Sequence, residues 1–275
     1  MTEKLSSIAS YAKSFGIIPI KRLGQNFIYD KPLCDKIVAA SGDIIGKNIL
    51  EIGPGPGGLT RSILDKNPKK LFVIERDDRS INLLEDLKKY YDSLVIFHQD
   101  ALKIKINDLK INGKVKIIAN LPYNIGTKLL INWSKELELI EDITIMLQKE
   151  VVNRICTVVG TKDYGRLSVI IQILFTPKKQ FDVSKESFYP QPKVTSSIVK
   201  LIPKNILYSP LLISKLEEIT QIAFSARRKQ ISNSLGKNYI GIFKILDQLS
   251  IKYSQRPEEI TPEQYLEMAE ILLDA

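Results

Sequence analysis

The stretch that most narrows the folds open to this chain is Ile49 to Gly58, ILEIGPGPGG, a short apolar run that breaks into alternating glycines and prolines. Ile49, Leu50 and Ile52 read as the end of a buried strand. The glycines after it let backbone N–H groups and the next helix N-terminus approach a ligand closely. Gly53, Gly55 and Gly58 fit G-x-G-x-x-G, and Glu75 ends the following apolar run, LFVIE, at a distance suited to gripping ribose hydroxyls. The combination reads as a nucleotide-type turn on an open sheet.

Glycines and a ribose carboxylate do not separate a nicotinamide or flavin dinucleotide from S-adenosylmethionine, because both carry adenosine on a doubly wound sheet. Two details favour the second. Glu51, Gly53, Gly55 and Gly57 form E-x-G-x-G-x-G, the pattern of S-adenosylmethionine methyltransferases, and Pro54 and Pro56 stiffen a loop that has no pyrophosphate to wrap.

Around this turn, strand-like and helix-like segments alternate. Strands are expected at Asn48–Ile52, Leu71–Glu75, Leu94–His98, Val115–Ala119 and Ile143–Gln148, with helices at Leu59–Lys66, Arg79–Tyr90 and Lys128–Glu136. This is the βαβ rhythm of a parallel sheet covered on both faces, whose strand C-termini face the ligand crevice. Glu51, Gly53, Glu75, Asp100 and Asn120 to Tyr123 all fall at such ends. Asp100 is placed to accept from an adenine amino group or, equally, to cap a turn. His98, inside its strand and without a nucleophile beside it, reads as a packed histidine.

Before the sheet, residues 2–20 read as a helical lead without chemistry. KRLGQNFIYD (21–30) is a basic loop with the polar pair Gln25 and Asn26, closed by Asp30 and Pro32 as cap and first turn of a helix. After it, Arg166–Phe175 and Val194–Leu201 read as two long strands added to the sheet as an antiparallel hairpin. From Leu207 the pattern is helical only, ending in a helix with Thr261 as N-cap, Pro262 in the first turn and Gln264 completing a capping box. The expected fold is therefore α/β: a Rossmann-like sheet over residues 1–205 and a small all-helical domain over 206–275.

The balance of 40 Lys+Arg against 31 Asp+Glu leaves a net charge of +9, which suits a polyanionic partner. Cys34 and Cys156 stand apart with no C-x-x-C and a lone histidine, so neither a disulfide framework nor a metal cluster is expected. The N-terminus has no secretory or mitochondrial pattern, and the longest apolar run, within LSVIIQILF, is too short to span a bilayer. A cytoplasmic monomer that binds neither membrane nor metal is the expectation.

The most specific word is Asn120-Leu121-Pro122-Tyr123. An adenine amino nitrogen is a poor nucleophile because its lone pair is delocalised into the ring. The Asn120 side-chain oxygen and the Leu121 carbonyl could accept both N6 hydrogens and favour a tetrahedral nitrogen that attacks a sulfonium methyl. Pro122 fixes the turn, and Tyr123 offers a ring on which a base stacks, worth about 1–3 kcal/mol.

Nine segments in order, KRLGQNF, ILEIGPGPGGLT, VIERD, QDAL, NLPYNIGT, MLQKEVVNRI, YGRLSV, FYPQPKVTSSIVKL and FSARRKQISNSL, resemble the ribosomal RNA adenine dimethyltransferase family, in particular its small-subunit branch. The resemblance covers nearly the whole chain. It implies S-adenosylmethionine-dependent N6,N6-dimethylation of two adjacent adenines in the 3′-terminal hairpin loop of small-subunit rRNA, within an immature small ribosomal subunit. It assigns Asn26 and Ile28 to the cofactor's methionine end, Gly53 to its centre, Glu75 to the ribose, Asp100 to the adenine edge and Asn120 to the junction with the target base. Tyr123 and Phe188 would sandwich that base, and Arg227, Arg228 and Lys229, on a basic helix face, would meet phosphates. Gly126 departs from the family, where serine often follows NLPYNI. A large-subunit methylase of macrolide-resistance type, whose relatives usually show NIPY, a non-enzymatic maturation factor on the same fold and a dinucleotide oxidoreductase remain alternatives.

Overall fold

A computed structural model describes residues 5–20, 24–206 and 208–274. Lys21 and Arg22, the cations opening the basic loop, lie outside the described residues. In chain order the elements are α1 (Ile8–Ser14), α2 (Lys31–Ala40), β1 (Asn48–Ile52), α3 (Gly58–Leu64), β2 (Lys70–Glu75), α4 (Asp78–Lys88), β3 (Leu94–His98), β4 (Val115–Asn120), α5 (Gly126–Trp133), β5 (Ile140–Gln148), α6 (Lys149–Ile155), α7 (Arg166–Leu174), β6 (Phe175–Val183), β7 (Ser196–Pro203), α8 (Pro210–Ser225), α9 (Ile231–Leu235), α10 (Ile242–Gln248) and α11 (Pro262–Asp274).

The strands form one seven-stranded sheet in the order β3-β2-β1-β4-β5-β7-β6. β1 to β5 are mutually parallel, and β7 runs antiparallel to β5. Every residue of β1, and all of β4 except Asn120, is buried, as expected for strands covered on both faces. The strand order reverses between β1 and β4, which opens a crevice beyond their C-terminal ends. Asp30 caps α2 by accepting from the Leu33 N–H at 3.1 Å, with Pro32 in the first turn as expected.

Contacts divide the chain into two compact units, residues 1–152 with 178–203, and residues 153–177 with 204–275. The backbone crosses between them three times, where the sequence pattern suggested a single boundary after 205. In the second unit, α8 buries Leu212, Leu216, Ile219 and Ala223 on one face, and the Phe224 ring lies between those of Tyr164 and Tyr265, 6.1 and 5.9 Å away. Thr261 and Gln264 exchange hydrogen bonds of 3.1 Å each way, which completes the expected capping box at α11.

Three expectations are corrected. Arg166–Phe175 is not a strand: residues 166–174 form α7, and the strand that joins the sheet is β6. The run RLSVIIQIL is buried on nearly every side, which erases the helical period and leaves β-branched residues to suggest a strand. Arg227, Arg228 and Lys229 lie in the turn between α8 and α9 rather than on a helix face. His98 is not packed: it sits on the outermost strand β3, exposed, with Nε2 3.2 Å from Asp78 Oδ1.

Candidate cofactor and target-base site

The crevice holds a cavity of about 850 Å³, counting its open mouth. Asn26, Gly53, Glu75, Asp100, Asn120, Leu121 and Tyr123 all line it, so seven of the residues singled out in the sequence converge on one space. Ile28 and Phe188 do not line it. Both are buried in the apolar cluster that also contains Phe27.

The glycine turn is shaped by what lies under it. Gly53 and Gly55 have φ of +65° and +53°, a region that L side chains rarely adopt. A Cβ on Gly53 would meet nothing within 4 Å and would project into open space, whereas one on Gly55 would fall 2.9 Å from the Phe27 ring. Gly55 thus lets Phe27 close over the turn, and Gly53 leaves backbone bare where the cavity begins.

Glu75 ends β2 and is gripped by backbone: Oε2 accepts from Gly55 N–H at 3.2 Å, and Oε1 from Arg76 and Asp77 N–H at 2.7 and 2.9 Å. Burial raises its pKa above the ordinary carboxylate value, against the lowering pull of those donors. Three donors fix the carboxylate while Oε2 keeps a lone pair for a further donor. Beneath the turn, Glu51 is fully enclosed, and its Oε2 accepts from the Thr60 hydroxyl at 2.7 Å. Burial, reinforced by the charge of Glu75, pushes the Glu51 pKa up to about 8.

Asp100 follows β3 and uses one oxygen, Oδ1, to accept from the Leu102 N–H at 3.0 Å. It therefore caps a turn, lines the cavity and leaves Oδ2 without a hydrogen bond from the described residues. Asn120 ends β4, and its Nδ2 donates to the Asn26 carbonyl at 3.2 Å. Committing the nitrogen in this way leaves Oδ1 as the atom for an incoming donor. Tyr123 is half-buried, and its hydroxyl lies 2.6 Å from Ser196 Oγ.

One residue on the lining was named in the sequence without a role. Gln25 takes the Ile20 N–H on its Oε1 at 2.9 Å and gives its Nε2 to Asp77 Oδ2 at 3.0 Å, latching the loop before α2 to the corner after β2. Asp77 is held in turn by Arg79, which keeps its carboxyl below the usual range. One of the two partners that explain Gln25 is 52 residues away, and no local pattern reports that. Gly126 also has a local reason: a Cβ there would fall 2.5 Å from the Leu147 side chain, which fills the space.

These features fit S-adenosylmethionine: bare backbone at Gly53, an oriented carboxylate at Glu75 and a free acceptor on Asp100. Among the described residues no group of three or more His, Cys, Asp or Glu is placed to hold a metal ion. No described helix is long and apolar enough to cross a membrane.

Among known proteins, the ribosomal RNA small subunit methyltransferase A of Wolbachia sp. subsp. Drosophila simulans (strain wRi) is 40% identical over 265 residues, covering 94% of each chain. The protein of the same name from Xanthobacter autotrophicus is 37% identical, covering 97% of this chain and 94% of its own. The crystal structure of a dimethyladenosine transferase from Plasmodium falciparum superposes with a TM-score of 0.78 at 25% identity, over 90% of this chain and 98% of that one. The 23S rRNA methyltransferase ErmE gives 0.66 at 26% identity, over 89% and 98%. Residues 20–274, nearly everything from the basic loop to the end of α11, match the family described as ribosomal RNA adenine dimethylase. A match of that extent, with relatives alike along their whole length, places the chain in the ribosomal RNA adenine dimethylase family.

Proposed function

We propose that this protein transfers methyl groups from S-adenosylmethionine to the N6 nitrogens of two adjacent adenines in the 3′-terminal hairpin loop of small-subunit rRNA, acting as a cytoplasmic monomer on immature small ribosomal subunits. The observation that carries the reading is the meeting of Asn120, Leu121 and Tyr123 with Glu75 and Asp100 around one cavity. The curated relatives described above bear a small-subunit name, which favours this reading over the large-subunit one. The lining also retains its acidic and glycine positions, which a maturation factor without activity would not need.

In the cofactor half, Glu75 takes a ribose hydroxyl on its remaining lone pair, Asp100 Oδ2 takes the adenine amino group, Asn26 borders the methionine end and the bare backbone of Gly53 borders the cofactor's centre. The bound cofactor supplies an electrophilic methyl on a sulfonium.

In the target half, Asn120 Oδ1 and the Leu121 carbonyl accept the two N6 hydrogens of the flipped adenine, drawing the nitrogen toward tetrahedral geometry with its lone pair exposed. Tyr123 supplies a stacking face. Phe188 is the ring we assign to the other face and Ile28 a further contact of the cofactor's methionine end, both in the buried apolar cluster. No side chain has to act as a base while the nitrogen is neutral, since its proton becomes acidic only as the methyl arrives and is then released to water. Alignment of this kind can supply roughly 7–11 kcal/mol of the barrier. In the second unit, Arg228 and Lys229 are exposed in the α8–α9 turn and are the phosphate contacts we assign to the helical domain.

The test is transfer of labelled methyl from S-adenosylmethionine to immature small subunits, followed by nucleoside analysis. N6,N6-dimethyladenosine in small-subunit RNA is expected. Label in large-subunit RNA alone, or no transfer by protein that binds the cofactor, would overturn the reading.

A further inference from the structure

We propose that Ser196 is the positioning residue for Tyr123, anchoring the tip of its ring so that the face, not the hydroxyl, meets the target base. The inference rests on the proposed function and adds a residue from the far side of the sheet to it.

The topology brings Ser196 to the site. β5 runs parallel to β4, with Met146 beside Asn120, and β7 runs antiparallel to β5, with Ile198 opposite Met146 and Ser196 opposite Gln148. An antiparallel strand begins where its neighbour ends, so the first residue of β7 stands at the same end of the sheet as the crevice. Successive strand residues face opposite ways. Ser197 donates to Asp182 Oδ1 at 2.6 Å, in a cluster that Lys149 and Lys179 complete at 2.7 and 2.6 Å. Ser196 therefore faces the other side, and there its fully buried Oγ lies 2.6 Å from the Tyr123 hydroxyl.

That bond answers a requirement of the chemistry. A stacking ring helps methyl transfer only if its plane is set before the base arrives, because a ring that turns lets the amino nitrogen wander from the line of attack. Pro122 restrains the backbone at one end of Tyr123, and Ser196 restrains the phenol at the other. The hydroxyl, engaged with a buried serine, is not the group offered to the base. Among the serines and threonines of VTSSIVKL, this gives Ser196 a part in the reaction and leaves Ser197 a part in the sheet.

The experiment measures kcat, the RNA KM and cofactor Kd for wild type, Ser196→Ala, Tyr123→Phe and the double variant on immature small subunits. Each single change is expected to lower kcat about fivefold, the scale of one buried hydrogen bond, with the cofactor Kd unchanged. The double variant should be no slower than either single one. Tyr123→Phe leaves Ser196 in place, so it carries the test even where Ser196→Ala folds poorly. If Ser196→Ala slows the Tyr123→Phe enzyme further by its full factor, or if neither single change alters kcat, the inference is overturned. A wild type that transfers no methyl would overturn the functional reading and this inference with it, whereas an active wild type with multiplying losses overturns the inference alone.

Discussion

The Thr60 hydroxyl is bonded to the Glu51 carboxylate at 2.7 Å in a place that solvent does not reach. The bond favours the ionised carboxylate, but burial outweighs it and the neighbouring Glu75 adds to burial, so the folded protein holds the Glu51 proton up to about pH 8. In the unfolded chain a glutamate loses its proton near about pH 4.3. Between these values the folded state binds the extra proton, so this contribution to stability is full below the lower value and is lost as pH rises through the upper one. Glu51→Gln keeps an acceptor for Thr60 and removes the titration. Denaturant unfolding from pH 4 to 9 should show wild type losing stability relative to Glu51→Gln by up to about 1.4 kcal/mol per pH unit across that window. Parallel curves would mean that Glu51 is ionised in the fold.

Asn120 should separate chemistry from cofactor binding. Its Nδ2 is engaged with the Asn26 carbonyl, so the acceptor on offer is Oδ1, the atom we assign to the amino group to be methylated. Asn120→Ala is expected to reduce transfer by about a hundredfold or more, as removal of a preorganised polar group does, while the cofactor Kd stays within a few-fold. Equal losses in both, read by calorimetry and labelled transfer, would make Asn120 a cofactor-binding group only.

Gly53 and Gly55 share a positive φ but should fail in different ways. Both alanine variants carry backbone strain, on the order of 1 kcal/mol. At Gly53 the added methyl enters open space at the cavity, so the expected result is a melting temperature lowered slightly and cofactor affinity lowered strongly. At Gly55 it strikes the Phe27 ring at 2.9 Å, so the apoprotein itself should lose stability. Thermal melts with and without S-adenosylmethionine distinguish the two. A Gly53→Ala protein that binds the cofactor normally would remove Gly53 from the site.

What the sequence revealed and what it hid follow from how local each signal was. β1 to β5 were legible because buried parallel strands are continuous apolar runs ended by polar residues or glycine, and the site residues at their ends came with them. β6, FTPKKQFDV, was not, since an edge strand carrying Pro177 and two lysines has no apolar run to find. α7 was misread for the opposite reason, being mostly apolar and buried on nearly every side. The latch between Gln25 and Asp77 and the bond between Tyr123 and Ser196 join residues 52 and 73 apart, and only the folded chain brings them together.

The cations of the α8–α9 turn should divide by what they already hold. Arg227 gives one guanidinium nitrogen to the Thr161 carbonyl at 3.0 Å and sets another 3.5 Å from Glu258, whose side chain is mostly buried. Arg228 is exposed. Removing Arg227 strands a largely buried carboxylate and an acceptor, a loss of about 1–3 kcal/mol that a thermal melt would register. Removing Arg228 should leave the melt unchanged, weaken RNA binding and reduce the slope of log affinity against log salt by about one, because one fewer counterion is released. If Arg227→Ala instead flattens the salt dependence without lowering the melt, and Arg228→Ala does neither, the turn meets RNA through Arg227 and its internal contacts give way when the complex forms.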